Sequence, residues 1–277
     1  MSDVSTALAN VEEFRTQSDQ SVSWELDRND VIQRLQALLQ NPDLLDQRGL
    51  NACAPAVFFR VWFARDPVAA AAFTCQMLRH GSSTIGSLTV APDADLTGQD
   101  YSTLRANTNA QHPNAMPEST DWMLLSALRD SENIYFDYLG QPYTLGDSVA
   151  GLTLPGTLAG WLSATNLYSS VSDNTTLLGP ADLPPLLNLL PTSDVDILLF
   201  VNANALYDLA TTPGPPEAPF PVFAAPDHYV LMTGPFTQAD GTNWIDIDVW
   251  TWGNIKTGWQ KIPRFLNNSF GWMVATV

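Results

Sequence analysis

Cys53 stands where a polar, glycine-broken stretch, Gln47-Arg48-Gly49-Leu50-Asn51-Ala52, gives way to an apolar, helix-compatible run through Phe59. A cysteine at such a junction is expected at a helix N-terminus. There the backbone N–H groups and the helix dipole favour negative charge, and so thiolate over thiol. Thiolate is the nucleophilic form. Attack on a carbonyl further requires a base beside the sulfur and hydrogen-bond donors for the tetrahedral oxyanion. A third polar residue commonly orients the base.

His228 is the candidate base. It opens the strand-like run His228–Thr233, directly after Ala225-Pro226-Asp227. That position can project an imidazole from a sheet edge into a cleft. The run Trp244–Trp250 follows in strict alternation, with Ile245, Ile247 and Val249 on one face and Trp244, Asp246, Asp248 and Trp250 on the other. With Asp240-Gly241 as a hairpin turn, the two strands become neighbours, and an aspartate can accept from the imidazole. Asp248 is the expected orienter, and Asp246 takes that role if the register differs.

Taken in order, Gln47, Cys53, His228 and Asp248-Val249-Trp250-Thr251-Trp252-Gly253 resemble the papain-like cysteine peptidase superfamily. Gln47 lies six residues before Cys53, the spacing of that family's oxyanion-hole glutamine. The last segment is similar to its Asn-Ser-Trp-Gly region, with Asp in place of Asn. The resemblance implies a Cys53-His228-Asp248 triad, with Gln47 and the Cys53 N–H holding the oxyanion. It also implies Trp250 as the aromatic shield of the His–Asp bond. The family's Cys-Gly-Ser-Cys-Trp signature is absent, the Cys-to-His separation of 175 residues is long, and residues 81–195 match nothing. The match thus points to a divergent, bacterial-type branch of the kind found among effectors and toxins. The implied activity is thiol peptidase. Transglutaminase, glutamine deamidase and acyltransferase share the same thioester-forming site, and an inactive binding module could share the fold.

The elements that must position these residues read as α+β: helices first, an antiparallel sheet afterwards. Residues 1–25 read as a flexible, at most partly helical leader, and 26–277 as a single papain-like domain, helical over about 26–190 and sheet-forming over about 191–277. Expected helices run over 27–39, from Cys53 to Phe63, from Asp66-Pro67 to Leu78, over 119–129, within 146–164 broken at Pro155-Gly156, and over 183–190. Residues 81–117 read as loops. Strands are expected over 196–201, 228–233, 244–252, 261–265 and 272–277.

Other signals are weaker. Cys75 reads as a core residue, and a Cys53–Cys75 disulfide is disfavoured because both lie on helices joined by a short turn. His80 falls at a helix C-terminus, and His112 lacks comparable partners. Gly146-Asp147-Ser148 is similar to a serine-esterase nucleophile block, but no strand precedes it and no Asp-x-x-His follows. No metal-ligand spacing or phosphate-binding glycine loop occurs, so no metal and no cofactor are expected. The chain has 277 residues, 29 acidic and 12 basic, for a formal charge of −17. That balance disfavours nucleic acid and anionic membranes as partners; a protein or peptide substrate is what the resemblance implies. The chain lacks a secretory signal pattern and any long apolar span, so it is expected in the cytoplasm or exported without a Sec-type signal. Composition does not fix the oligomeric state.

Overall fold

The computed structural model describes residues 3–132, 138–143, 153–177, 182–214 and 225–277. The protein is mixed α+β, and the chain divides into two compact units: 1–153 with 164–167, and 154–163 with 168–277. The Gly146-Asp147-Ser148 block and most of the proline-rich run at 211–221 lie outside the described residues.

The first unit is helical. Its opening segment, expected as a loose or partly helical leader, contains a helix of 13 residues. Helix α1 (Val4–Thr16) is capped by the Asp3 carboxylate on the Ser5 N–H and buries Ala7, Val11 and Phe14. The guanidinium of Arg28 lies 3.9 Å from the Phe14 ring centroid and that of Arg79 lies 4.7 Å from it, tying α1 to the helices that follow. Helix α2 (Arg28–Gln40) is capped by Asp27, the first residue of the expected helix, and buries the stripe Val31, Ile32, Leu35, Leu38 and Leu39. Helix α3 (Cys53–Arg65) is buried along most of its length, and α4 (Pro67–His80) starts at the Asp66 cap and ends on Gly81 at φ 73°. Such a left-handed end suits glycine.

Residues 81–117 are more ordered than their composition suggests. They form a hairpin of β1 (Ser83–Ile85) and β2 (Leu88–Val90), then helices α5 (Ala94–Thr97) and α6 (Tyr101–Gln111). Helix α6 is capped by Asp100 but buries only Tyr101, so it carries no apolar stripe to reveal it. Helix α7 (Ser119–Ser131) is buried from Ser119 to Asp130 and packs on α2 and α3.

The second unit is built on a seven-stranded antiparallel sheet, ordered β3-β9-β4-β5-β7-β6, with β8 also paired to β7. The strands are β3 (Ser170–Asp173), β4 (Val195–Val201), β5 (His228–Met232), β6 (Thr237–Gln238), β7 (Trp244–Thr251), β8 (Asn254–Lys261) and β9 (Ser269–Thr276). One face carries the core Ile197, Leu199, Val201, Val230, Met232, Ile245, Ile247 and Val249, closed by Phe236 and Phe265. The helix over Pro155–Ala164 begins at the proline expected to break it, because a missing N–H costs nothing in a first helical turn. The strand expected over 261–265 is instead the end of β8 followed by the helix Ile262–Asn267, with Pro263 in its first turn. Among the described residues no helix is long and apolar enough to cross a membrane.

Candidate functional site

Cys53 is the first residue of α3 and is buried at 7% exposure. The N-cap is Ala52, which offers no side-chain acceptor to the first-turn amides. Pro55 carries no N–H, so the remaining first-turn amides, that of Cys53 among them, form the positive end of this helix. The loop delivering Cys53 is pinned. Asp121, fully buried, receives Arg34 Nε at 2.9 Å and Nη2 at 2.7 Å, and also the Asp46 N–H at 3.0 Å. The Leu50 N–H then donates to the Gln47 carbonyl at 3.0 Å, and the Gly49 N–H to the Ala115 carbonyl at 2.9 Å. A Cβ at Gly49 would stand 3.0 Å from that same carbonyl oxygen, so glycine lets the loop approach closely. Gln47 is held in this turn with 8% exposure.

Sequence reasoning missed Arg129. It is buried on α7, and its Nη1 donates to Thr153 Oγ1 at 3.2 Å. Burial lowers its proton affinity, while Tyr138, Cys53 and Glu132 act electrostatically to raise it. The attraction is mutual, so a guanidinium within electrostatic reach of Cys53 favours negative charge on the sulfur, while the burial of Cys53 opposes it. Burial pushes the Cys75 thiol pKa up to about 12, an unreactive setting.

In the second unit, Asp227 fixes the entry to β5. Its carboxylate accepts from the Ala203 N–H at 2.9 Å and from Asn202 Nδ2 at 3.1 Å, and burial raises its pKa. His228 follows, 5% exposed and paired with Val201 of β4. Its Nε2 is 2.6 Å from Thr251 Oγ1. The Trp252 ring stacks on the imidazole with centroids 4.6 Å apart and planes 20° apart, and Tyr207 stacks with Trp252 at 5.8 Å. Burial first, and the charge of Lys256 second, push the His228 pKa down to about 3. The imidazole is therefore neutral near pH 7, and an imidazolium held in advance is disfavoured.

The structure does not bring Asp248 to His228. Leu231 pairs with Trp250, and Met232 with Val249. Directly opposed residues share a face of the sheet. His228, Val230 and Met232 therefore share theirs with Val249 and Thr251, while Asp248 points to the other. Asp248 sits opposite Thr233, accepting its N–H at 2.9 Å on the carbonyl and its hydroxyl at 2.8 Å on Oδ1. Thr233 is five residues along the chain from His228, about 16 Å of extended strand. Asp246 is farther still, opposite Thr237 and Trp259. Trp250 faces the same way as Asp248, so the aromatic cover of the imidazole is Trp252, not Trp250. The alternation along β7 was visible in the sequence; its parity relative to β5 was not.

Trp252 reaches this place through a tight turn. Thr251 pairs with Asn254, and the two residues between them have φ 47° (Trp252) and 73° (Gly253). Two positive φ values at the tip are the type I′ pattern, normally filled by Asn-Gly. A bulky side chain in the left-handed region is strained, and such strain gathers at functional sites. The turn at Asp240-Gly241 also forms, with Gly241 at φ 68°, but it joins β6 to β7 instead of β5 to β7. Among the described residues no group of three or more His, Cys, Asp or Glu could hold a metal ion. No protein-family model, no curated protein and no solved structure matches the chain.

Proposed function

We propose that the protein is a thiol hydrolase of papain-like design acting on peptide bonds, with Cys53 as nucleophile and His228 as base. The observation that carries this reading is the fixing of His228. It is a buried, neutral imidazole with Nε2 against Thr251 and its face under Trp252, in a chain whose Cys53 opens a helix. With Nε2–H donating to Thr251, Nδ1 carries the lone pair. Thr251 takes the orienting role expected of Asp248.

The chemistry follows from these groups. His228 Nδ1 takes the Cys53 proton as the sulfur attacks the carbonyl carbon. The neutral imidazole can accept this proton only against the burial and the Lys256 charge that lower its pKa, while the helix end and Arg129 favour the thiolate as it forms. The Cys53 N–H and the Gln47 side chain stabilise the oxyanion. On collapse the imidazolium gives its proton to the departing amine, leaving a thioester. Water adds to the thioester, with His228 again taking a proton, and the product acid leaves as the thiol is restored. Cys53→Ala is expected to abolish peptide hydrolysis, measured as release of new amino termini. Full activity in that variant would end the reading.

A further inference from the structure

We propose that Lys256, at the rim of the His228 cluster, receives a carboxylate of the substrate, so that the bonds attacked are those beside an acidic residue. This rests on the hydrolase reading above and names its substrate class.

Lys256 and Lys261 are the only lysines in a chain of formal charge −17. The cations of Arg34, Arg60, Arg105 and Arg264 each meet a carboxylate of the chain. Lys256 does not. Among the described residues its ammonium has a ring for a neighbour, Nζ lying 4.7 Å from the Trp252 centroid. A ring covers one side of an ammonium and accepts none of its three N–H groups in a conventional hydrogen bond. Lys256 is half-buried, so part of its water is already displaced. Pairing across β7 and β8 sets Lys256 opposite Val249, on the sheet face shared with His228 and Thr251.

The strained turn gives this placement its point. Trp252, at φ 47°, is stacked on His228 and lies under Lys256, so one side chain fixes both the base and the cation. A bare positive charge beside a base opposes the proton that the base must accept. A carboxylate docked on Lys256 cancels that opposition as the substrate arrives. An acidic residue would therefore be bound and would also ease proton transfer from Cys53 to His228. The acidic surface repels such a substrate at long range, but screening confines that repulsion to about 10 Å at ordinary salt, and contact with Lys256 is shorter.

The test uses Cys53→Ala protein, in which no turnover disturbs binding. It is titrated with the blocked peptides Ac-Ala-Glu-Ala-NH2 and Ac-Ala-Gln-Ala-NH2, following the Trp252 indole N–H resonance, assigned by its loss in Trp252→Phe. The glutamate peptide is expected to bind roughly fivefold or more tightly than its uncharged counterpart. Lys256→Met should bring the two together, and Lys256→Glu should favour a lysine peptide. Equal affinities, a preference that survives Lys256→Met, or no response to either peptide would overturn the proposal. Failure of the hydrolase reading shows separately, as cleavage that is independent of Cys53. An acid preference in binding without Cys53-dependent turnover would leave the carboxylate site standing and remove the reaction.

Discussion

Thr251→Val is the sharpest probe of the orienting role proposed for Thr251. The change replaces one hydroxyl by a methyl group and keeps a β-branched side chain at a position only 1% exposed, so strand packing is preserved. What is lost is the partner of His228 Nε2, 2.6 Å away. His228 is itself 5% exposed, so water cannot readily replace that oxygen. A buried donor left without a partner costs about 1–3 kcal/mol. The ring escapes this cost by moving its proton to Nδ1 or by rotating under Trp252. Either response removes the Nδ1 lone pair on which the proposed hydrolase reading relies. At about 1.4 kcal/mol per factor of ten, the loss in kcat/KM is roughly 5- to 150-fold. The assay is kcat/KM for a fluorogenic peptide at neutral pH, with urea unfolding run in parallel. Thr251→Ser, which keeps the oxygen, should recover most of the activity. Wild-type kcat/KM in Thr251→Val, or equal losses in the valine and serine variants, would refute the reasoning.

Other consequences are equally open to measurement. Asp248→Asn is expected to leave kcat/KM within about twofold of wild type, since its carboxylate partners Thr233 and faces away from His228; a hundredfold loss would restore it as the orienting residue. His228 makes stability depend on pH in a defined direction. The unfolded imidazole takes up a proton near pH 6.5 and the folded one only near 3, so its contribution is complete above about pH 6.5 and is lost as pH falls toward 3. Urea midpoints measured from pH 7 to pH 4 should fall less steeply in His228→Gln; identical slopes would contradict the buried neutral ring. Asp121→Ala strands the Arg34 guanidinium and frees the Asp46 amide, and should lower unfolding free energy by about 3–5 kcal/mol in urea titrations. A loss below about 1 kcal/mol would mean that the pair does not hold the loop before Cys53.

The parts of the site set by local chemistry were legible in the chain. Cys53 opens its helix where a polar, glycine-broken turn meets an apolar run, and Asp27, Asp66 and Gly81 begin or end helices through contacts within a few residues. Alternation placed β7, because a buried face imposes a period of two, while the continuous apolar run Tyr229–Met232 behind a proline-bearing loop placed β5. Where that periodicity was missing, reading failed. Helix α6 buries only Tyr101, and the run Asn254–Lys261 of β8 is too polar and glycine-interrupted to announce a strand. The expected leader hid α1, whose Phe14 is held by arginines of two later helices, a contact no local pattern encodes.

The choice of partner for His228 belonged to tertiary structure. A strand's sequence states which of its residues share a face, but not which of those faces meets a residue on its neighbour. Pairing of Met232 with Val249 decides that, and a shift of one residue would have turned Asp248 toward the imidazole and Thr251 away. The same holds for Trp252 and Lys256, which reach His228 through a turn held at positive φ, and for Arg129, brought within reach of Cys53 by the packing of α7 on α3. The sequence by itself determined the helix end at Cys53, the strand opened by His228 and the alternation along β7, since these depend on neighbours along the chain. Register, strained turn and buried cation depend on residues far apart in sequence, and only the folded chain decides them.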